Sequence, residues 1–398
     1  MHKVLFDYTY YQAGKYHGGG EYGDTIIRKV LTYEYGRGMF GIFFYANKRI
    51  NKEIVQACKQ NGWLIHPILD MREISSIVEC FSYDTIYSAL PYGNSWRDVH
   101  LDGNVHFIGT FHGTRRFDLM KFEETERMFW GNNRIEGGNQ SHDYLYKCYS
   151  KRIEDTYEGF NEIFDRFSNI TVVTVSQNSR ATLLSFFPQL EEKQIKVLYS
   201  PPKKAFPPTG EEYLEELGVE KKNYALVISS NIWYKNALRV VLAYDKLFSA
   251  GYSFVPENYR LVVVGIDSSQ TFSDRIENKD RFVFLDYLKP EKLERLYCDA
   301  HLFVFPSMNE GFGYPPLEAM KYGTMCACSV NTSIAEICGN MAILFNPLLI
   351  DEIFHKIMQS FFEEVRNRFL KRIEEDYSNL AKKQESDLDI LVNLIVGE

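Results

Sequence analysis

Short apolar runs alternate with helix-sized amphipathic stretches along most of the chain. In the first half, KVLFDYT (3–9), GIFFYAN (41–47), VHFIGTFHG (105–113), ITVVTVS (170–176) and IKVLYS (195–200) have the length and apolar density of buried strands. DTIIRKVLTYEYG and NKEIVQACKQNG, lying between them, carry helical periodicity. Such alternation predicts a parallel sheet with helices on both faces. Residues 115–150, rich in Arg, Phe, Tyr, Trp and Gly, break the pattern and read as an insertion or an excursion over the surface.

Composition shifts over 201–222, PPKKAFPPTGEEYLEELGVEKK, where four prolines and many charges suit an exposed linker leading into a short helix. Six further strand-like runs follow: YALVISS (224–230), YRLVVVGI (259–266), RFVFLDY (281–287), HLFVFPS (301–307), TMCACSV (324–330) and AILFNP (342–347). The tail from 350 to 398 reads as amphipathic helix. The expected fold is α/β, with two doubly wound parallel-sheet domains at 1–200 and 223–398 joined by the linker 201–222. Two such domains would face each other across a cleft that closes on its ligand, and ligands of open parallel sheets bind beyond the carboxyl ends of the strands. Function is therefore expected in the loops after strands.

The length of 398 residues fits two domains of roughly 200 residues, each able to bury a full core. A net charge of −8 and a pI near 5.7 argue against nucleic acid as a partner. An anionic small ligand stays open, because helix N-termini and one or two cations suffice for phosphate. Aromatic content of 15% is high, and serves either core or apolar walls for sugar rings or lipid. Neither a membrane span nor an export signal is recognisable, so a cytoplasmic location is expected. Any membrane contact would be peripheral, at the inner face, through the aromatic stretch 115–150. The seven cysteines show no CxxC or Cys/His spacing, which favours buried thiols over a metal site.

The most informative stretch is PSMNEGFGYPPLEAMKYG, residues 306–323. Seven residues separate its two acids, Glu310 and Glu318. A continuous helix would set them about 12 Å apart along its axis, beyond the roughly 5–9.5 Å of paired glycosidase acids, and Gly311, Gly313, Pro315 and Pro316 oppose that helix. Glu310 is instead expected in the loop closing a strand, with a proline in the first turn of the next helix and Glu318 one turn in. Gly311 and Gly313 let backbone approach a ligand. Each carboxylate can accept two hydroxyl hydrogen bonds, as a sugar or a ribose diol presents. Spacing alone equally allows a capping Glu310 and a solvated Glu318. Ser333 and Glu336 have capping-box spacing, which would explain the serine and leave amides suited to phosphate. HGGGEYG (17–23) follows the first strand and opens a helix; its glycines permit a tight turn, and it lacks the GxGxxG dinucleotide pattern.

EGFGYPPLEAMKYG, with the preceding FVFPS and the following TMCACSVNTSIAEICGNMAILFNP, resembles the donor-site signature of retaining GT-B glycosyltransferases of family 4, the glycosyl transferases group 1. More thinly, NYALVISSNIWYKNALRVVLAYDKL, LVVVGI, FVFLDYLKPEKLERLYCDAHLFVFPS and VTVSQNSRATL are similar to other parts of the family. The resemblance is strong over about 224–347 and weak before 170.

That resemblance implies transfer of a sugar from a nucleotide-diphosphate sugar (GDP-, UDP- or dTDP-linked) to a glycan or lipid-linked acceptor, with retention and without a metal or other cofactor. It implies that Glu310 touches the donor-sugar hydroxyls and Glu318 the ribose. The amides of Gly311, Phe312 and Gly313 would lie at the sugar or phosphate, together with Asn331, Thr332 and Ser333. Lys235 and Asn236 match the family's Lys-Asn pair, the lysine neutralising the diphosphate. Tyr287 and Leu288 fall where the family's backbone reads the base. Gly18, Gly19 and Gly20 would cover phosphate and shape the acceptor site, and His112 would face the donor sugar. The implied catalytic set is Glu310, His112 and Lys235, although a solvated Lys235 and a structural His112 fit the residues as well. The family's arginine before the lysine is absent from SSNIWY, and Arg115, Arg116, Arg239 or helix dipoles are the candidates to replace it. EGFGYPP resembles versions in bacterial polysaccharide enzymes with mannose-like or deoxy-sugar donors. A non-catalytic sugar-nucleotide sensor, or a GT-B epimerase or phosphorylase, is the alternative.

Overall fold

The computed structural model describes the chain except for residues 1, 10–17, 33–37, 49, 92–95, 120–125, 127–128, 130–133, 136–137, 140–141, 230–231 and 267–269. Two compact units result, one of Met1–Phe117, Cys148–Lys203 and Lys382–Glu398, the other of Asp118–Lys147 and Lys204–Ala381.

The first unit is built on a seven-stranded parallel sheet. Its strands are β1 (Lys3–Asp7), β2 (Met39–Tyr45), β3 (Leu64–Ile68), β4 (Thr85–Ser88), β5 (His106–Phe111), β6 (Ile170–Thr174) and β7 (Ile195–Val197), in the order β3-β2-β1-β4-β5-β6-β7. Helices α1 (Gly18–Thr32), α2 (Lys52–Gln60), α3 (Glu73–Phe81), α4 (His142–Arg166) and α5 (Gln177–Phe186) connect them. Five of these strands match the apolar runs; β3, α3 and β4 do not. LIHPI places a proline and a buried histidine in β3, and proline is tolerated because β3 is an edge strand. TIYS has only four residues, too few to show a period. Much of the aromatic surplus is core: Trp96, Phe107, Phe111, Phe160, Phe164 and Phe167 pack together, with the Phe107 and Phe167 rings stacked at 4.4 Å. Such pairs contribute about 0.5–1.5 kcal/mol beyond the area they bury.

The second unit holds a six-stranded parallel sheet, and all six predicted runs form it. They are β8 (Tyr224–Ile228), β9 (Arg260–Val264), β10 (Phe282–Leu285), β11 (Leu302–Phe305), β12 (Met325–Ser329) and β13 (Ala342–Phe345), ordered β10-β9-β8-β11-β12-β13. The helices are α6 (Ala237–Ala250), α7 (Pro290–Asp299), α8 (Tyr314–Met320), α9 (Ser333–Cys338), α10 (Ile350–Gln359) and α11 (Glu363–Val396). As expected, the tail is helical.

The chain divides differently from the sequence boundaries in two places. Residues 382–398, placed by sequence with the second domain, group with the first unit. There Asp389 pairs with Lys29 at 2.8 Å and Asp387 accepts from the Tyr199 amide at 2.7 Å. Residues 118–147 group with the second unit. Leu119 joins its hydrophobic core and Glu126 is buried, so at these two positions the chain does not run over the surface; much of the rest of 115–150 lies outside the described residues. Among the described cysteines, Cys58, Cys326, Cys328 and Cys338 are buried as expected, whereas Cys80 is exposed and Cys298 half-buried. No helix among the described residues is long and apolar enough to cross a membrane.

The second core contains one group whose titration is readable in stability. His301 is buried, with Nε2 donating to the Ser360 carbonyl at 3.2 Å and Nδ1 accepting from the Tyr259 hydroxyl at 2.9 Å. Burial, assisted by the Arg366 guanidinium, lowers its pKa from 6.5 to about 4. Between those values the unfolded chain binds the proton and the folded one does not. The contribution is therefore complete above pH 6.5 and is lost as pH falls toward 4, by about 3 kcal/mol in total. Urea unfolding at pH 7.5 and 4.5 should show a smaller pH difference for His301→Gln than for the parent chain; equal differences would contradict this assignment.

Candidate active site

β8, β11 and β12 lie side by side in the second sheet, and their carboxyl ends carry three loops to one edge. After β8, a single 3-10 turn, Trp233–Lys235, ends in Lys235. β11 is followed by Pro306, Ser307 and then Glu310; β12 is followed by Asn331, Thr332 and α9.

These loops bring Lys235 and Glu310 together. The ammonium stands 2.6 Å from Glu310 Oε1, and the side chains are only 15% and 12% exposed. The Ser307 hydroxyl donates to the same oxygen at 2.6 Å. Backbone bonds fix the acid's position: the Glu310 amide donates to the Thr332 hydroxyl at 3.1 Å, and the Ser333 hydroxyl reaches the Glu310 carbonyl at 2.8 Å and that of Phe312 at 3.1 Å. Asn331 Nδ2 donates to the Met308 carbonyl at 3.4 Å. The capping box predicted from Ser333 and Glu336 is not formed; Thr332 is the N-cap, and the serine hydroxyl turns to the Glu310 loop instead.

Gly313 takes φ +101° at the N-cap of α8, a conformation costing any other residue about 1–2 kcal/mol. Pro315 and Pro316 occupy the first turn, where a missing N–H leaves no bond unmade. Glu318 stands one turn in, half-buried, its Oε2 accepting from the Tyr297 hydroxyl at 3.1 Å. Burial first, then the Glu318 charge, pushes the Tyr297 phenol well above its ordinary pKa, so it remains a donor. Beside it, Glu294 is buried and accepts from Lys321 at 2.9 Å and Tyr322 at 2.7 Å. After β10, Tyr287 is 71% exposed and Leu288 half-buried.

Other expected site residues are placed differently. Asn236, in the left-handed region at φ 58°, is buried, with Nδ2 donating to the Pro306 and Pro347 carbonyls and Oδ1 accepting from Arg239. Its side chain braces the loops and is not presented to a ligand. Arg239, a candidate for the missing phosphate arginine, is buried in a bidentate pair with Glu126. Arg115 and Arg116 lie in the first unit, exposed on a helical turn, where Arg116 donates to the Thr156 hydroxyl. Gly18, Gly19 and Gly20 form the first turn of α1 and not a tight loop. A Cβ on Gly19 would stand 2.6 Å from Leu90 Cδ1, so close packing accounts for that glycine. His17 lies outside the described residues. His112, also in the first unit, donates through Nε2 to the Ala89 carbonyl at 3.0 Å and meets the Tyr22 ring edge-on at 4.6 Å. Sequence reasoning missed Asn309 and Tyr297 as site neighbours; Tyr297 is on α7, 21 residues from Glu318, and no local pattern links them. No cluster of three His, Cys, Asp or Glu fit to hold a metal occurs among the described residues.

Residues 210–375, inside the second unit, match the family model described as glycosyl transferases group 1. Over that stretch the chain resembles the group 1 glycosyltransferases. It is 28% identical over 197 residues to O-antigen chain mannosyltransferase B of Escherichia coli, covering 48% of this chain and 51% of that one. It is 27% identical over 179 residues to the O-antigen chain mannosyltransferase RfbU of Salmonella typhimurium, covering 44% and 46%. The chain thus spans about half the length of these relatives. Among solved structures it resembles WaaG, a glycosyltransferase involved in lipopolysaccharide biosynthesis, with TM-score 0.67 at 14% identity over 99% of this chain and 100% of that one. It also resembles HepE of Anabaena in complex with UDP and glucose, with TM-score 0.62 at 14% identity over 100% and 98%. These likenesses show the fold, GT-B with two Rossmann-like parallel-sheet domains and a helical C-terminus, as the sequence resemblance implied.

Proposed function

We propose that the chain is a group 1 glycosyltransferase that moves a sugar from a nucleotide-diphosphate sugar to an acceptor hydroxyl, with retention, in the synthesis of a bacterial polysaccharide or glycoconjugate. The observation carrying the proposal is the nearly buried Lys235–Glu310 contact of 2.6 Å at the carboxyl edge of the second sheet. The named activities of the O-antigen relatives and the UDP and glucose of the HepE complex point the same way.

Lysine and acid here are partners of each other. A donor offers each a second partner of matching chemistry: diphosphate oxygens for the ammonium and sugar hydroxyls for the carboxylate. Glu310 then orients the sugar, and Lys235 meets the negative charge that grows on the departing diphosphate, the term that preorganised electrostatics lowers most. The departing phosphate oxygen lies on the face the acceptor approaches and takes the acceptor hydroxyl's proton, so no carboxylate nucleophile is required. Glu318, held at one oxygen by Tyr297, takes the ribose diol, and the exposed Tyr287 offers its ring and backbone to the base. Asn331, Thr332, Ser333 and the amides of Gly311 to Gly313 line the sugar and phosphate. A mannose-like donor and a glycan or lipid-linked acceptor, used at the cytoplasmic face of the membrane without a metal, complete the proposal.

Incubation with GDP-mannose, UDP-glucose and dTDP-glucose, with and without EDTA, tests it. Expected is slow release of nucleoside diphosphate from one donor, insensitive to EDTA, with the product's anomeric configuration by NMR matching the donor's. Binding without turnover would favour a sensor, and an inverted product would overturn retention.

A further inference from the structure

We infer that Asp118 and Glu126, with Phe129 beside them, brace Lys235 and Glu310, acting through the asparagine next to each. The inference rests on the reading of that pair as the donor-site groups.

Asn309, immediately before Glu310, is 3% exposed and donates through Nδ2 to Asp118 Oδ2 at 2.7 Å. Asn236, immediately after Lys235, accepts from Arg239 Nη1 at 2.9 Å. Arg239 in turn is gripped by Glu126 at 2.5 and 3.0 Å, the two side chains being only 10% and 8% exposed. The Phe129 ring lies 4.2 Å from the same guanidinium, and the Phe129 carbonyl accepts from Arg275 at 2.5 Å. Both neighbours of the pair are thus reached, Asn309 by Asp118 directly and Asn236 by Glu126 through Arg239.

Attachment alone would not need these charges. Leu119 already packs in the hydrophobic core next to Asp118, and burying an ion pair costs desolvation that an apolar contact of the same size avoids. A bidentate guanidinium is geometrically specific, and here a third hydrogen bond, from the same Nη1, goes to the Asn236 amide oxygen. Asn236 then ties the carbonyls of Pro306 and Pro347, at the ends of β11 and β13, to the residue that follows the lysine. Its left-handed backbone, φ 58°, directs the chain from the 3-10 turn into α6, so a shift of this side chain displaces Lys235. Glu126 and Arg239 touch neither reacting group and are positioning residues.

The test compares four proteins: the parent, Glu126→Gln/Arg239→Met, Lys235→Ala, and the triple variant. Replacing both members of the ion pair avoids leaving one buried charge uncompensated. Thermal unfolding establishes folding, and kcat and KM are measured with whichever of GDP-mannose, UDP-glucose or dTDP-glucose the parent turns over fastest. Displacement of a catalytic group by a fraction of an ångström should lower kcat of the double variant about tenfold. The triple variant should be no slower than Lys235→Ala, because the brace acts through the lysine. A folded double variant with parental kcat, or a loss that multiplies with that of Lys235→Ala, overturns the brace. Should the double variant fail to fold, Asp118→Leu removes the acceptor for Asn309 and leaves the buried ion pair intact; a several-fold lower kcat at unchanged unfolding temperature supports the brace, and parental kcat overturns it. If Lys235→Ala itself turns over like the parent, the donor-site reading fails, and the brace falls with it.

Discussion

Glu310→Ala is expected to lower kcat/KM for the donor by on the order of 100- to 1,000-fold while leaving the unfolding temperature within a few degrees of the parent. The two halves of that expectation come from different atoms. On the proposed reading the carboxylate is the part that meets sugar hydroxyls, and a charged hydrogen bond that strengthens as the sugar gains positive charge contributes more in the transition state than in the bound donor. The loop, by contrast, is held by the Glu310 backbone, through its amide to Thr332 and its carbonyl to Ser333. Alanine keeps both bonds. Lys235 loses its counterion but is still 15% exposed and can take water. Glu310→Gln, which keeps hydrogen-bonding capacity without the charge, should fall between alanine and parent. Initial rates beside thermal melts check all three; a normal rate for the alanine variant would remove Glu310 from the chemistry.

Lys235→Ala should weaken binding of the nucleoside diphosphate about 10- to 100-fold, the equivalent of one lost charge-assisted hydrogen bond. Its loss acts twice, because it also leaves Glu310 as an unneutralised negative charge beside the ligand's phosphates. The double replacement Lys235→Ala/Glu310→Ala should consequently bind GDP or UDP more tightly than Lys235→Ala alone, even though it transfers no sugar. Calorimetry on the three variants decides this. Equal affinity for parent and Lys235→Ala would place the phosphates away from the lysine.

How much of this was legible in the chain depended on how local the signal was. Each strand of the second sheet is one short apolar run bounded by polar residues, and all six could be read directly. In the first sheet, β3 hides a proline and a histidine at an edge, and β4 is a four-residue fragment, so neither shows the expected density. The Glu310 and Glu318 geometry was readable because glycine and proline restrict the backbone between them. What could not be read depends on residues distant in sequence. Glu126 lies 113 residues from Arg239, and pairing turns an apparent phosphate ligand into a buried support. Ser333 could have closed a capping box with Glu336, but a carbonyl more than twenty positions away took its hydroxyl. Three glycines in a row suggested a turn, yet an amphipathic helix already begins there, and close approach to Leu90 suits a residue without Cβ.

The most direct test is a crystal of this protein soaked with the donor it turns over. The account predicts sugar hydroxyls on the Glu310 carboxylate, the ribose diol on Glu318, and the diphosphate within hydrogen-bonding reach of the Lys235 ammonium, with the Lys235–Glu310 contact lengthened. Density for the nucleotide at any other place, or a donor bound while both acids keep only their present protein partners, would contradict it.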